Sequence, residues 1–395
     1  MNDIRCLTND DLLQYKRLSS ICYTYCDTDE PKQCTEEELR RRVGVFDEHG
    51  TLLSAMIHNS YMARFEGHDV KLLGIGGVVT DPVARGQRSI RRLFETYLPK
   101  LREEGYVFSA LYPFSHAFYR KFGYELAFEQ RVAEISPGNL RDDLCRADEI
   151  VRVLPDQDDQ GMRQIYERYI ADKHFAIERD DSMWRELRQG TPWEKMKYAY
   201  VLKRKGESIA YWIGSVFKGD AGAVLTPDDL AYTCREGREA IFAMLRGMNE
   251  VRTIRLFVPS ELEPRWLVSD PYDVSFKSIN CGGMLRVMDV EKALTLLAPP
   301  PIAGSVTIQV ADELIAENNG CFTVMGDGSA LRIIREEKRP ADLRCTVNGL
   351  SVLFGGLQDF NDALLAGHAT LMTEECRWFA SMLFPKRKSH LNWGF

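Results

Sequence analysis

The sequence predicts an α+β protein with more than one core, and three observations carry that reading. Helical and strand patterns mix over the first ~135 residues without the long βαβ alternation of a doubly wound sheet. At 395 residues the chain exceeds what one ordinary core organises. A proline cluster, "LTLLAPPPIAGS", stops regular structure before a final strand-rich segment.

In order along the chain, "TNDDLLQYKRLSSICY" places Leu12, Leu13, Leu18, Ile21 and Cys22 at helical spacing, with Thr8 or Asn9 as cap. A meander follows, with strands expected near 43–47, 52–65 and 70–80 around the turns "DEHG" and "EGHD". Residues 88–104 carry the clearest helical signal: Ile90, Leu93, Phe94, Tyr97, Leu98 and Leu101 share a face, and Pro99 is expected to kink the helix. "GYVFSALYPF" (105–114) reads as a buried strand and "LAFEQRVAEIS" as another. From about residue 150 come helices over "DDQGMRQIYERYIADK" and "DDSMWRELRQ", a hairpin around Lys205-Gly206, then a helix and strand in "EGREAIFAMLRGMNEVRTIRLFVPS". Trp184 reads as structural. The last segment predicts strands in "SVTIQVAD", "GCFTVMG", "ALRIIRE" and "LRCTVNGLSVLFGG", then helices over 357–366 and 373–384.

Composition narrows the function classes. Apolar residues make up 45% and charged residues 28%, average for a globular chain. A formal charge of −7 argues against a nucleic-acid partner and permits a cationic substrate. The start lacks a basic region followed by an apolar core, so no signal peptide is expected. No apolar run approaches the ~20 residues that cross a bilayer, so no membrane role is expected and the cytoplasm is the expected compartment. The ten cysteines, Cys281 among them, form no CxxC and no zinc-finger spacing; they read as reduced thiols, with no metal.

Two stretches carry chemistry. In "GIGGVVTDPVARGQRSIRRLF" (74–94) a strand ends, a turn follows, and a cation-rich segment opens the amphipathic helix. The first N–H groups of a helix lack internal partners and face outward with a favourable dipole, which suits a phosphate. Arg85, Arg88, Arg91 and Arg92 add charge, and Gly86 permits close backbone approach. The same residues also suit a solvated basic helix start. In "SHAFYRKFGYE" (115–125), Tyr119 and Tyr124 either pack as an aromatic staple or offer a reactive hydroxyl. The tail "LNWGF" is either frayed or docked through Trp393 and Phe395; exposed aromatic ends are unusual, which favours docking.

A strand ending in "VVTDP", Arg-Gly before a long helix, a buried strand and then "FYRKFGYE" resemble a GNAT-superfamily N-acetyltransferase. With "MWRELRQ" and the tail "MLFPKRKSHLNWGF", the whole chain resembles the Eis (enhanced intracellular survival) family. The resemblance implies two tandem GNAT-like mixed α/β units, 1–148 and 149–285, then a sterol carrier protein-like α+β domain over 286–395. It implies acetyl-CoA as co-substrate, held by Val78 and Val79 on the strand and by Arg85, Gly86, Gln87, Arg88, Ser89 and Ile90 in the pyrophosphate loop. Arg88 and Ile90 stand where the superfamily loop usually has small residues. It also implies Tyr119 as general acid, the Phe395 carboxylate as base, a primary amine as acceptor, and symmetric homo-oligomers such as hexamers.

The chemistry is coherent without a catalytic triad. An ammonium of pKa about 10 must lose a proton before its nitrogen attacks a thioester, and a departing thiolate needs one. Asp27, Asp29 and Glu30 lie where this superfamily often covers its substrate and suit a cationic amine, although a solvated acidic loop would look the same. His116, three residues before Tyr119, either lines the cleft or sits on a helix surface. Two further readings stay open. One is a hydrophobic-ligand carrier built on the final domain; the other is a degenerate scaffold that binds coenzyme A weakly.

Overall fold

In the computed structural model, residues 3–27, 29–219, 222–280, 282–336 and 339–395 are described. The chain forms two compact units. One comprises Met1–Phe128, Gly282–Arg387 and Asn392–Phe395; the other comprises Glu129–Cys281 and Lys388–Leu391. The division therefore does not follow three consecutive segments with boundaries after 148 and 285, because the first sheet takes a strand from beyond residue 281. Cys281 itself lies outside the described residues.

The first unit opens with β1 (Asp3–Cys6), α1 (Leu12–Tyr23), α2 (Glu36–Arg40), β2 (Arg42–Phe46), β3 (Leu52–Phe65) and β4 (His68–Thr80). It continues with α3 (Ser89–Glu103), β5 (Phe108–Leu111), α4 (His116–Arg120) and β6 (Glu125–Leu126). Thr8 and Asp11 form a capping box ahead of α1. The seven-stranded sheet runs β1-β2-β3-β4-β5, then Met284–Val287, then β6. Among the described residues of this sheet only β4 and β5 are parallel, and α3 is the crossover between them. One face of α3 buries Leu93, Phe94, Leu98 and Leu101 against Val43, Val45, Met56, Leu73 and Ile75. Each such side chain contributes about 1.5–3 kcal/mol on burial. The helix runs on through Pro99. On the other face, Leu18 of α1 packs with Leu7, Phe46, Leu52, Ala55 and Val79.

The single strand expected over "LAFEQRVAEIS" divides: Glu125–Leu126 stays in the first sheet, and Gln130–Ile135 joins the sheet of the second unit. Met284–Val287 fills the place between β5 and β6, antiparallel to both. The same unit holds a five-stranded sheet in the order Leu331–Glu336, Gly320–Asp327, Ala303–Ala311, Leu343–Thr346, Ala369–Leu371. Helices Val347–Gly355, Phe360–Leu365 and Arg377–Leu383 accompany it. The first of these corrects the expected strand over "LRCTVNGLSVLFGG". The run is apolar nearly all round because every residue of the helix except Asn348 is buried, and Thr346 caps it through Gly349 N–H. Periodicity cannot separate such a helix from a buried strand.

The second unit is a seven-stranded sheet ordered 275–280, 130–135, 251–258, 222–232, 207–219, 197–204, 149–152. The Lys205-Gly206 hairpin is present. Its parallel pair, Gly222–Tyr232 with Val251–Val258, is joined by helix Arg235–Arg246. The strand Gly222–Tyr232 carries a bulge against its antiparallel neighbour, at Asp228. That order of bulged strand, helix and parallel strand repeats the β4–α3–β5 order of the first unit. Trp184 is buried in this core beside Arg179 and Tyr166.

Candidate active site

The site begins with a break in β4. Ala55 pairs with Val79 but Ile57 pairs with Gly76, so Gly77 and Val78 together face Met56. This is a β-bulge, and Gly77 adopts φ +55°, with the Tyr15 hydroxyl in the space where a Cβ would sit. The β4–β5 ladder ends at Ile75 and Leu111. Beyond it, the edge of β4 from Gly76 to Thr80 has no strand partner on that side among the described residues.

A cavity of about 790 Å³ lies there, bounded by Val78 and Thr80 of β4, Cys22 and Tyr23 of α1, and the start of α3. Phe114, Phe118 and Phe122 form an aromatic wall. Gly86, Arg88, Ser89 and Ile90 line it at the helix end. The first helical bond of α3 runs from Arg92 N–H to the Arg88 carbonyl at 3.0 Å, so the N–H groups of Ser89, Ile90 and Arg91 precede it. The Ser89 hydroxyl is buried with no hydrogen-bond partner. Arg85, Arg88, Arg91 and Lys121 are all on the wall, with no acidic side chain among the lining residues. Arg88 sits in the left-handed region at φ +62°, so it adopts a conformation glycine takes freely, at a cost of roughly 1–2 kcal/mol. Two sequence candidates are turned away from the cavity. The Val79 side chain is in the core, and Gln87 donates from Nε2 to the Val83 carbonyl at 3.1 Å.

The two tyrosines of "SHAFYRKFGYE" separate clearly. Ser115 accepts from Phe118 N–H and caps α4. Tyr124 is fully buried, and its hydroxyl is 2.6 Å from that of Ser109 on β5. Burial pushes its phenol up to about 12, against the opposing effect of that hydrogen bond. Tyr119 packs edge-on to Phe94, Phe114, Phe118 and Tyr124 and is 3% exposed. Burial, then Tyr23 and Tyr124, raise its phenol well above the ordinary value. Tyr119 is not itself on the cavity wall; its neighbours Phe114 and Phe118 are. Gly123 stands at φ +83°, and the Arg286 guanidinium occupies the space where a Cβ would go.

The tail is docked in this unit. Arg387 binds Glu66 at 2.9 Å and donates to the carbonyls of Leu353 and Leu383. The Phe395 ring lies against Tyr61 and Tyr112, with centroids 5.4 and 5.6 Å away. Its main-chain carbonyl atoms rest on Gly76, two residues before Val78. Burial pushes the Tyr112 phenol up to about 12. Among the acidic candidates, Asp27 is held by Lys16 at 2.7 Å, while Asp29 and Glu30 are exposed. His116 begins α4, and its Nε2 is buried without a partner. None of these four residues lines the cavity.

Sequence reasoning missed Cys22, Tyr23, Phe114 and Lys121 on the wall, and Tyr61, Tyr112, Gly74 and Gly76 around Phe395. The glycines had a signal: "GIGG" inside a strand marks a bulge or close approach. The others come from elements distant in sequence.

Comparison with known proteins defines the class. Residues 3–127 match the family described as acetyltransferase (GNAT) domain, and residues 290–392 match the sterol carrier protein domain. The chain thus carries a GNAT acetyltransferase domain, which makes it an acyltransferase, and a sterol carrier protein domain. Its fold is similar to that of a GCN5-related N-acetyltransferase from Anabaena variabilis, at 19% identity and TM-score 0.88, with 100% of both chains covered. It is also similar to that of Eis1 from Mycobacterium abscessus, an Eis-family protein, at 18% identity and TM-score 0.82, again over 100% of both chains. A probable N-acyltransferase from Enterococcus faecalis matches at 17% identity and TM-score 0.81 over 98% of each chain. No curated protein matches the chain.

Proposed function

We propose that the chain transfers an acetyl group from acetyl-CoA to a primary amine, of aminoglycoside, polyamine, peptide or lysine type. The observation that carries this reading is the cavity at the β4 bulge. It joins an open strand edge to the N-terminus of α3, where the buried Ser89 hydroxyl has no partner among the described residues and four cations line a wall that carries no acidic side chain. These residues fit coenzyme A. The edge of β4 around Val78 and Val79 suits an amide-bearing arm, and Arg85, Gly86, Arg88, Ser89 and Ile90 suit a pyrophosphate. Bound there, acetyl-CoA supplies an acyl group activated as a thioester.

The chain's own groups then handle protons. The Phe395 carboxylate, seated on Gly76, takes a proton from the acceptor ammonium or holds that ammonium while water removes it. Desolvation raises the basicity of a carboxylate, which this role requires. The Tyr119 phenol, kept protonated by its buried surroundings, donates to the leaving sulfur. Asp29, Glu30 and His116 would meet the amine. Asp27 acts less directly, through its pair with Lys16.

Thermal shift with acetyl-CoA, followed by thiol release with an aminoglycoside, a polyamine and a lysine peptide, tests the reading. No stabilisation at near-millimolar acetyl-CoA would overturn it in favour of a scaffold. We further propose a cytoplasmic homo-oligomer. Trp266, Tyr272 and Trp378, at 72%, 98% and 76% exposure, supply apolar surface for subunit contacts, and light scattering gives the mass.

A further inference from the structure

We propose that Gly74 and Gly76 are positioning residues: bare positions on β4 that seat the ring and the carboxyl group of Phe395. This rests on the reading of Phe395 given above. A Cβ added to Gly76 would lie 2.5 Å from both the carbonyl carbon and the carbonyl oxygen of Phe395. One added to Gly74 would lie 2.5 Å from Phe395 Cδ1 and 2.6 Å from Tyr61 Cε2. Real Cβ atoms essentially never approach another heavy atom within 3.0 Å.

Backbone conformation does not demand glycine at either position, since neither residue has positive φ. A strand interior ordinarily does better with any side chain, because glycine weakens it and has nothing to pack. What keeps these two positions bare is space, and at Gly76 the three nearest atoms all belong to Phe395.

The two contacts divide the work. Gly74 admits the ring, which then packs at a tilt against both Tyr61 and Tyr112. Gly76 lets the carboxyl carbon settle onto the strand itself. Because Val78 of the same strand lines the cavity, the carboxyl group is held two residues along β4 from a residue of the cavity wall. A rigid strand fixes that separation far better than a free tail would, and a displacement of ~1 Å at a catalytic group can cost ~100-fold in rate.

The test is a double-mutant cycle on the full chain, combining Gly76→Ala with deletion of Phe395. Gly76→Ala is expected to lower the unfolding temperature when Phe395 is present and to leave it unchanged, or raise it, when Phe395 is absent. Equal losses in both backgrounds would mean that the glycine serves the sheet alone, and would overturn the proposal. Carboxypeptidase should release Phe395 at least ~10-fold faster from Gly76→Ala than from the parent chain, because release tracks the undocked population. Equal release rates would also overturn it. With whichever amine of the panel reacts, both changes should lower kcat to the same floor and remove the same acid limb of the pH profile, leaving KM for acetyl-CoA unchanged. A coupled cycle with unchanged kcat on deletion of Phe395 supports the seat and removes the assignment of the base. An uncoupled cycle with kcat lost on that deletion keeps the base and overturns the seat.

Discussion

Replacing Gly123 by alanine tests how the aromatic motif is locked to the rest of its unit. The added Cβ would overlap Arg286 Nη1 and lie 2.8 Å from its Cζ and 2.8 Å from Val347 Cγ1. Arg286 cannot move aside cheaply. It is fully buried, donates from Nη1 to the Phe122 carbonyl at 2.7 Å, and pairs through Nη2 with both oxygens of Asp312 at 2.7 and 2.8 Å. Asp312 in turn accepts from Asn318 Nδ2 and from the Leu314 and Ile315 N–H groups. Two costs add. Alanine at φ +83° costs roughly 1–2 kcal/mol, and breaking a buried ion pair costs about 3–5 kcal/mol. The expected loss is therefore about 4–7 kcal/mol, against a typical total stability of about 5–15 kcal/mol. Urea unfolding followed by circular dichroism measures the total. Hydrogen exchange of 284–287 and 311–319 reports the ion pair directly. Gly123→Asn divides the two costs, because asparagine tolerates the left-handed region but still meets Arg286. A loss under about 1 kcal/mol for Gly123→Ala, with exchange protection unchanged, would refute the reasoning.

Three other outcomes follow from the site and its surroundings. Tyr119→Phe should lower kcat by ~10²-fold or more with little change in unfolding temperature, since the ring contacts survive; equal turnover by mutant and parent removes Tyr119 as proton donor. Residues appended after Phe395 should depress activity by displacing or neutralising its carboxylate, and full activity of such an extended chain would sink that assignment. Acid should destabilise the chain in two stages. Burial lowers His58 to about 4, so its contribution is complete above an unfolded value of about 6.5 and is lost as pH falls from there toward 4. Asp312 is pushed up by burial but held below the ordinary carboxylate range by Arg286, so its contribution is present above about 3.9 and lost at lower pH. Urea midpoints at pH 7, 5 and 3.5 check both stages; His58→Gln should flatten the first, and a flat profile in the parent chain would contradict it.

The sequence by itself determined what depends on neighbours a few residues away. The apolar stripe of 89–103 makes α3, Lys205-Gly206 makes a hairpin, and the prolines near residue 300 end regular structure before the last sheet. The cation-rich start of α3 and "FYRKFGYE" were legible as candidates, because a helix N-terminus and an aromatic turn are local objects.

Tertiary structure alone decided which of those candidates meet. Nothing in "MLRV" announces that Met284–Val287 slots between β5 and β6, because strand pairing across some 160 residues leaves no local mark. The same holds for Arg286, which gives Gly123 its purpose, and for Ser109, which occupies the Tyr124 hydroxyl and leaves Tyr119 as the other phenol of the motif. The helix Val347–Gly355 was read as a strand because full burial erases the periodicity that would distinguish the two. Gly74 and Gly76 were visible as glycines, but only the folded chain brings Phe395 onto them, since an empty Cβ position acquires meaning from the atoms that fill it.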